Sequence, residues 1–169
     1  MNSVNKKDQF LAVIENNKGI IFKIVHSYSK NFEDRKDITQ EIIIQLWKSF
    51  EKYDEKFKHT TWIYRIALNV AISFYRKERS REKLSLPFSE SIFQFPEEIT
   101  STNQDSNLNI LQQFIQELKD LDKALILLYL EEKSHKEISQ IMGITETNVA
   151  TKIGRIKNIL KQKFEQIKN

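Results

Sequence analysis

Thr147, Thr151, Arg155 and Asn158 recur at helical spacing, with Asn148 beside them and Lys152 on the flank. Hydroxyls, amides and a guanidinium on one helical face are the groups that hydrogen-bond base edges in a DNA major groove. A lysine at the border of such a face reaches phosphate. The opposite stripe is Val149, Ile153, Ile156, Leu160 and Phe164, an apolar seam that must face a core. Upstream, Ser134 is placed to cap a short helix over Lys136–Met142, and Gly143 supplies the positive-φ residue of a turn through Ile144 and Thr145. Glu146 opens a second helix that runs without a proline to about Gln166. Ile138, Met142, Ile144 and Val149 are spaced to seal the two helices together. The pattern predicts a helix-turn-helix whose second helix carries the reading face. A merely solvated hairpin fits less well, because Gly, Thr and Asn are weak helix formers with no evident gain there.

A second chemically loaded stretch lies in the N-terminal half. Trp62, Arg65, Asn69, Ser73 and Arg76 form one stripe of a helix whose apolar side reads Ile63, Ile66, Val70 and Phe74. Before it runs a polar loop, Tyr53 to Thr61, containing Lys58, His59 and Thr60. After it, Arg76, Lys77, Arg79, Arg81 and Lys83 continue as a basic tail. Aromatic rings that stack bases, interleaved with cations that track phosphates, are the means of holding single-stranded nucleic acid. A third stretch offers binding without catalysis. Ile42, Ile43, Leu46 and Phe50 fall together as a core stripe, whereas Asp37, Gln40, Glu41, Ile44 and Lys48 fall opposite, with Trp47 at the border. An isoleucine and a tryptophan among carboxylates suit a protein-docking patch; the alternative is that Trp47 packs on the first helix.

The elements that must position these groups read as helices throughout. The chain has 169 residues with only 3 Gly and 2 Pro, which argues against a loop-rich β fold. Helices are predicted at about 6–17, 19–31, 36–53 and 60–82, followed by the helix-turn-helix region. Residues 84–107 contain both prolines and lack helical periodicity, and read as a flexible linker. Phe88, Phe93 and Phe95 within it are unusual for an inert tether and suit docking on a neighbouring domain or lying in a partner's channel. The expected fold is all-α: two small helical domains, 1–83 and 108–169, joined by the linker 84–107. Charge follows the same division. Residues 1–83 carry 17 basic against 11 acidic side chains, the linker carries none against 4, and residues 108–169 carry 10 against 8. The partner of the two outer blocks is expected to be polyanionic.

No cysteine means no disulfide framework and no thiolate metal site. No apolar run approaches a membrane span and no signal-peptide core follows Met1, so the chain is read as cytoplasmic, with no direct membrane insertion. His26, His59 and His135 are scattered and form neither a metal set nor an acid–base pair; of the three, His59 alone sits in a loop that would meet DNA. GxGxxG, GxxxxGK and HExxH are missing. The chain is therefore expected to be no enzyme and to need no cofactor.

Taken together, the motifs resemble a known family. Asp37 to Trp47 (DITQEIIIQLW) and Thr61 to Arg76 (TWIYRIALNVAISFYR) look like region two of bacterial sigma-70 factors. Leu118 to Leu130 with His135 to Gly143 looks like region four. Two regions joined by a short linker, with nothing for regions one or three, are similar to the extracytoplasmic-function group. The resemblance implies a factor that binds core RNA polymerase, directs it to specific promoters and helps open promoter DNA. It implies that Asp37, Gln40, Glu41, Ile44 and Trp47 dock on the polymerase clamp helices. Lys58, His59, Thr60, Trp62, Arg65, Asn69, Ser73, Arg76 and Lys77 would capture a flipped base of the minus-ten element and hold the opened DNA. Thr147, Asn148, Thr151, Lys152, Arg155 and Asn158 would read the minus-thirty-five element. An anti-sigma factor is the further partner expected for the group.

The chain departs from the family where Thr147-Asn148-Val149-Ala150-Thr151-Lys152 replaces the usual Gly-Thr-Val-Lys-Ser-Arg, which predicts an altered sequence preference. Ser139 stands where an alanine is common, and fits if its hydroxyl bonds back to a carbonyl. The residues alone also allow a conventional helix-turn-helix regulator with an N-terminal sensing or dimerising domain. That reading predicts two-fold symmetric operators and gives the Trp62–Asn69–Arg76 stripe no role.

Overall fold

The computed structural model describes residues 3–84 and 105–168, and the secondary structure among them is helical. The linker phenylalanines Phe88, Phe93 and Phe95 lie outside the described residues. In chain order the helices are α1 (Ser3–Tyr28), α2 (Phe32–Ser49), a 3-10 turn (Phe50–Lys52), α3 (His59–Leu84), α4 (Asp105–Glu117), α5 (Asp120–Leu130), α6 (His135–Met142) and α7 (Glu146–Lys168).

α1 is one continuous helix where the sequence predicts two. The break expected between residues 17 and 19 does not form, although Gly19 falls there, exposed and with nothing crowding the place of a Cβ. A glycine inside a helix costs about 1 kcal/mol relative to alanine. Phe10, Ile21, Ile24, Val25 and Tyr28 on either side of it are buried, and that packing outweighs the local weakness. α2 begins where Asn31, in the β region, accepts a hydrogen bond from the Asp34 N–H at 2.8 Å. Glu33 and Asp34 in its first turn complement the helix dipole. Its core stripe is Ile38, Ile42 and Leu46, all fully buried. Ile43, predicted to join that stripe, is exposed instead, one hundred degrees round the helix from Ile42.

α3 packs against α1 and α2 through Ile63, Tyr64, Ala67, Leu68, Ala71 and Ile72. The core face is therefore rotated from the predicted one: Ile66, Val70 and Phe74 are half-buried at its edge. Two alanines at the centre let the helices approach closely.

In the C-terminal half, α5, α6 and α7 wrap around Leu125, Leu128, Ile138, Val149, Ile153 and Ile156. Ser134 caps α6 in a full capping box: its side chain accepts from the Glu137 N–H, while the Glu137 carboxylate accepts from the Ser134 N–H. Gly143 ends α6 at φ +69°, as the turn requires. Ser139 donates to the Lys136 carbonyl at 2.7 Å, which accommodates its hydroxyl as expected.

The two helical regions are not held apart. α3 of the first lies against α5 and α6 of the second, whereas the flexible-linker reading gave them no fixed relation.

Candidate nucleic-acid interface

The polar row of α3 is built by exclusion. Once the Ile63–Ala67–Ala71 face is buried, Arg65, Asn69, Ser73, Arg76 and Lys77 are left exposed on the helix. Asn69, Ser73 and Lys77 face Asp37, Glu41 and Gln45 of α2 across a groove of about 670 Å³ floored by Ile66, Val70 and Phe74. Residues assigned to DNA thus border residues assigned to polymerase. Arg65 lies over the Phe57 ring at 5.7 Å, which aims the guanidinium along the loop ahead of α3.

Trp62 is where sequence and structure part. It was placed on the exposed stripe as a stacking platform, but it is 9% exposed and belongs to the core. Its ring packs against Phe50 and Tyr53, at 6.0 and 5.2 Å, and its indole N–H donates to the Ser49 hydroxyl at 3.2 Å. The cause is the 3-10 turn at Phe50–Lys52, which folds the loop back over the start of α3. At the loop's surface the exposed His59 ring instead lies tilted against half-buried Tyr53, with centroids 4.8 Å apart. Tyr53 also donates to the Phe57 carbonyl, closing the loop on itself. Burial together with Glu55 and Asp54 raises the Tyr53 phenol, so it remains a hydrogen-bond donor. Lys58 and His59 are exposed and Thr60 half-buried at the mouth of this loop.

On α2, Asp37, Gln40, Glu41, Ile44 and Trp47 are all solvent-exposed, as a docking face requires. Trp47 packs on the first helix without being buried there. One edge meets Phe10 of α1 at 5.0 Å and the Lys6 ammonium sits 4.9 Å from its centroid, yet it stays 38% exposed.

On α7 the two predicted stripes separate cleanly. Val149, Ile153, Ile156 and Leu160 are buried, and half-buried Phe164 meets Phe114 edge-on at 5.1 Å. Thr147, Asn148, Thr151, Arg155 and Asn158 are exposed, with Lys152 partly so. The Asn148 N–H is satisfied by the Thr145 hydroxyl at 3.1 Å. Thr151 donates to the Thr147 carbonyl at 3.0 Å, and Arg155 pairs with Asp122 at 3.2 Å. Among the described residues, no group of three or more His, Cys, Asp or Glu is placed to hold a metal ion, and no helix is long and apolar enough to cross a membrane.

Residues 13–81 match the family described as Sigma-70 region 2, and residues 108–160 match Sigma-70, region 4. The ECF RNA polymerase sigma factor SigW of Bacillus subtilis (strain 168) is 28% identical over 174 residues, spanning 95% of this chain and 91% of SigW. SigM of the same organism is 27% identical over 147 residues, spanning 86% of this chain and 89% of SigM. Among solved structures, CnrH in complex with the cytosolic domain of CnrY superposes with a TM-score of 0.67 at 16% identity, over 95% of this chain and 90% of that one. RpoE in complex with the anti-sigma factor NepR from Bartonella quintana gives 0.62 at 18% identity, over 94% and 96%. A conventional dimeric regulator would leave the N-terminal match unexplained. With both regions matched in order over most of its length, the chain belongs to the sigma-70 family and is an RNA polymerase sigma factor of the extracytoplasmic-function group.

Proposed function

We propose a division of labour within this sigma factor among three surfaces. The α2 face of Asp37, Gln40, Glu41, Ile44 and Trp47 docks on core polymerase, with Ile44 and Trp47 as apolar anchors and the carboxylates selecting a basic partner surface. The loop with Lys58, His59 and Thr60 and the α3 row Arg65, Asn69, Ser73, Arg76 and Lys77 receive the opened minus-ten strand. Trp62 serves there as the buried floor that holds the loop in shape. The α7 row Thr147, Asn148, Thr151, Lys152, Arg155 and Asn158 enters the major groove of the minus-thirty-five element. The domain limits proposed are 1–83 and 108–169.

The observation that carries the reading is the separation of faces. On each of α2, α3 and α7 the apolar stripe is buried while the assigned polar row is exposed. Extruding a base costs a few kcal/mol, which stacking on the Tyr53–His59 edge and hydrogen bonds in the loop offset. An anti-sigma protein covering the Ile44–Trp47 face would block polymerase docking directly, and such a partner is part of the proposal. Hydroxyl-radical footprinting tests the scheme. With core polymerase, two protected stretches should appear on promoter DNA. Protection that persists upstream after α7 substitutions and disappears after α3 substitutions would reverse the assignment.

A further inference from the structure

We propose that α1 carries a self-association surface, through which two copies of this chain pair along an antiparallel helix seam made of Leu11, Glu15, Lys18 and Phe22. None of these residues belongs to the α2, α3 or α7 rows assigned above, so the surface stands apart from them whatever their roles. The fold leaves an aromatic ring of α1 in water. Phe22 is 62% exposed and Leu11 51%, whereas Phe10, Ile21, Ile24 and Val25 of the same helix are buried.

Spacing puts the four residues on one line. They follow one another by four, three and four positions, the seam spacing of a two-stranded coiled coil. At about 100° per residue they fall within about 60° of arc, on a side of the helix about 100° from the core face. Leu11 and Phe22 stand at the two ends of the line. Glu15 and Lys18 stand at its centre, paired at 2.7 Å with both side chains in solvent. The Phe22 ring lies tilted over the His26 imidazole, with centroids 3.8 Å apart, which broadens the apolar end. Beside the seam Gly19 is exposed, and nothing lies within 4 Å of where its Cβ would be.

The order of the line is self-complementary, and that selects a second copy as its occupant. A two-fold axis passing between Asn16 and Asn17 lays Leu11 against Phe22 of the second copy, and Glu15 against its Lys18. Each contact then occurs twice, as an isologous interface requires. A parallel pairing would set glutamate on glutamate and lysine on lysine, and like charges facing each other across an interface are strongly disfavoured. Within one chain the Glu15–Lys18 pair is exposed and holds little energy, so exchanging it for two pairs between copies costs little. In the same register Gly19 faces Ile14 of the second copy, and its missing side chain lets the two helices approach closely. Two apolar side chains from each copy make a small contact. Interfaces below about 1,200 Å² are typically weak, so the dimer forms at high concentration and separates on dilution.

Sedimentation velocity of the full chain, from low micromolar to near-millimolar concentration, tests the seam. The expected result is a mass that rises from one chain towards two as concentration increases. Phe22→Ala removes an exposed group and should stay a single chain throughout, with unchanged far-UV circular dichroism. Glu15→Lys and Lys18→Glu each set like charges against each other and should weaken association about tenfold or more. An equimolar mixture of these two variants should associate as well as the unsubstituted protein, because every facing pair is then opposite in sign. A parallel seam, or a different surface, does not produce that rescue. A protein that remains a single chain at every concentration would overturn the proposal. So would a dimer that survives Phe22→Ala and both charge reversals, or a mixture that associates no better than its parts. Co-purification with core polymerase is measured alongside. If Glu15→Lys weakened it and left self-association unchanged, the face would belong to polymerase and not to a second copy.

Discussion

The indole N–H of Trp62 donates to the hydroxyl of Ser49 at 3.2 Å, tying the first turn of α3 to the last residue of α2. The bond joins the helix proposed to dock on polymerase to the helix proposed to hold opened DNA. Around it runs a continuous packing of rings. Trp47 meets Phe10, Phe10 meets Phe50, Phe50 meets Trp62, and Trp62 meets Tyr53, with centroids between 5.0 and 6.0 Å. The loop proposed to face DNA is thereby built on the same small core as the proposed docking face.

Trp62→Ala should cost about 3–5 kcal/mol of stability, the range for a buried aromatic truncated to alanine. Trp62→Phe should cost less and lose the bond to Ser49, worth about 1 kcal/mol. Urea unfolding gives both values. Full stability combined with lost promoter melting would return Trp62 to the DNA surface.

Trp47→Ala combined with Glu41→Lys should weaken co-purification with core polymerase while far-UV circular dichroism stays helical. Because Trp47 is part-covered by Phe10 and Lys6, a stability loss of about 1–2 kcal/mol is expected alongside. Undiminished co-purification would remove the docking assignment.

Substituting Arg65, Asn69 or Arg76 should slow strand opening, read as permanganate reactivity of unpaired thymines, more than it weakens duplex recruitment. Substituting Asn148, Thr151 or Arg155 should lower recruitment itself, by about 1–3 kcal/mol at a good base contact. Matching profiles for the two sets would contradict the division of labour.

How much of this was legible in the sequence depended on how local its cause is. The helix-turn-helix could be read from Ser134, Gly143 and the Val149–Ile153–Ile156–Leu160 stripe because caps, turn and periodicity act within a few residues. Trp62 was misplaced because its burial depends on a 3-10 turn ten residues earlier, and a helix break was expected between residues 17 and 19 because tertiary packing there overrides propensity. Ile43 failed for a simpler reason: an α2 stripe fully buried at Ile38, Ile42 and Leu46 leaves its neighbour outside. The meeting of the two halves was expected only through the linker phenylalanines, not through the direct contact of α3 with α5 and α6. One signal for it was present, since α5 is apolar on nearly every side and a small helix-turn-helix domain cannot cover all of it.

The pH dependence of stability follows from Lys123, whose ammonium is buried between the Tyr28 and Tyr75 rings. Burial first, and Lys30 second, push it down to about 8 from 10.5, against the opposing pull of Asp120. Below about 8 the folded chain bears the full cost of a buried charge. As pH rises from 8 towards 10 it releases that proton while the unfolded chain keeps it, so stability increases. Above 10 the trend reverses, because burial raises Tyr28 and lifts Tyr64 to about 12 while the unfolded chain ionises both. Between pH 7.5 and 9.5 the gain should be at most about 2 kcal/mol, read by urea unfolding. Lys123→Met should flatten the slope; an unchanged slope would assign the effect to another group.

The most direct test of the account is transcription itself. Core RNA polymerase is mixed with genomic fragments, with and without this protein, and the 5′ ends of the transcripts are sequenced. The account predicts that the protein creates discrete start sites sharing two upstream sequence blocks at a fixed spacing. Core polymerase that gains no specific starts, together with tight binding of the protein alone to a palindromic duplex, would contradict it.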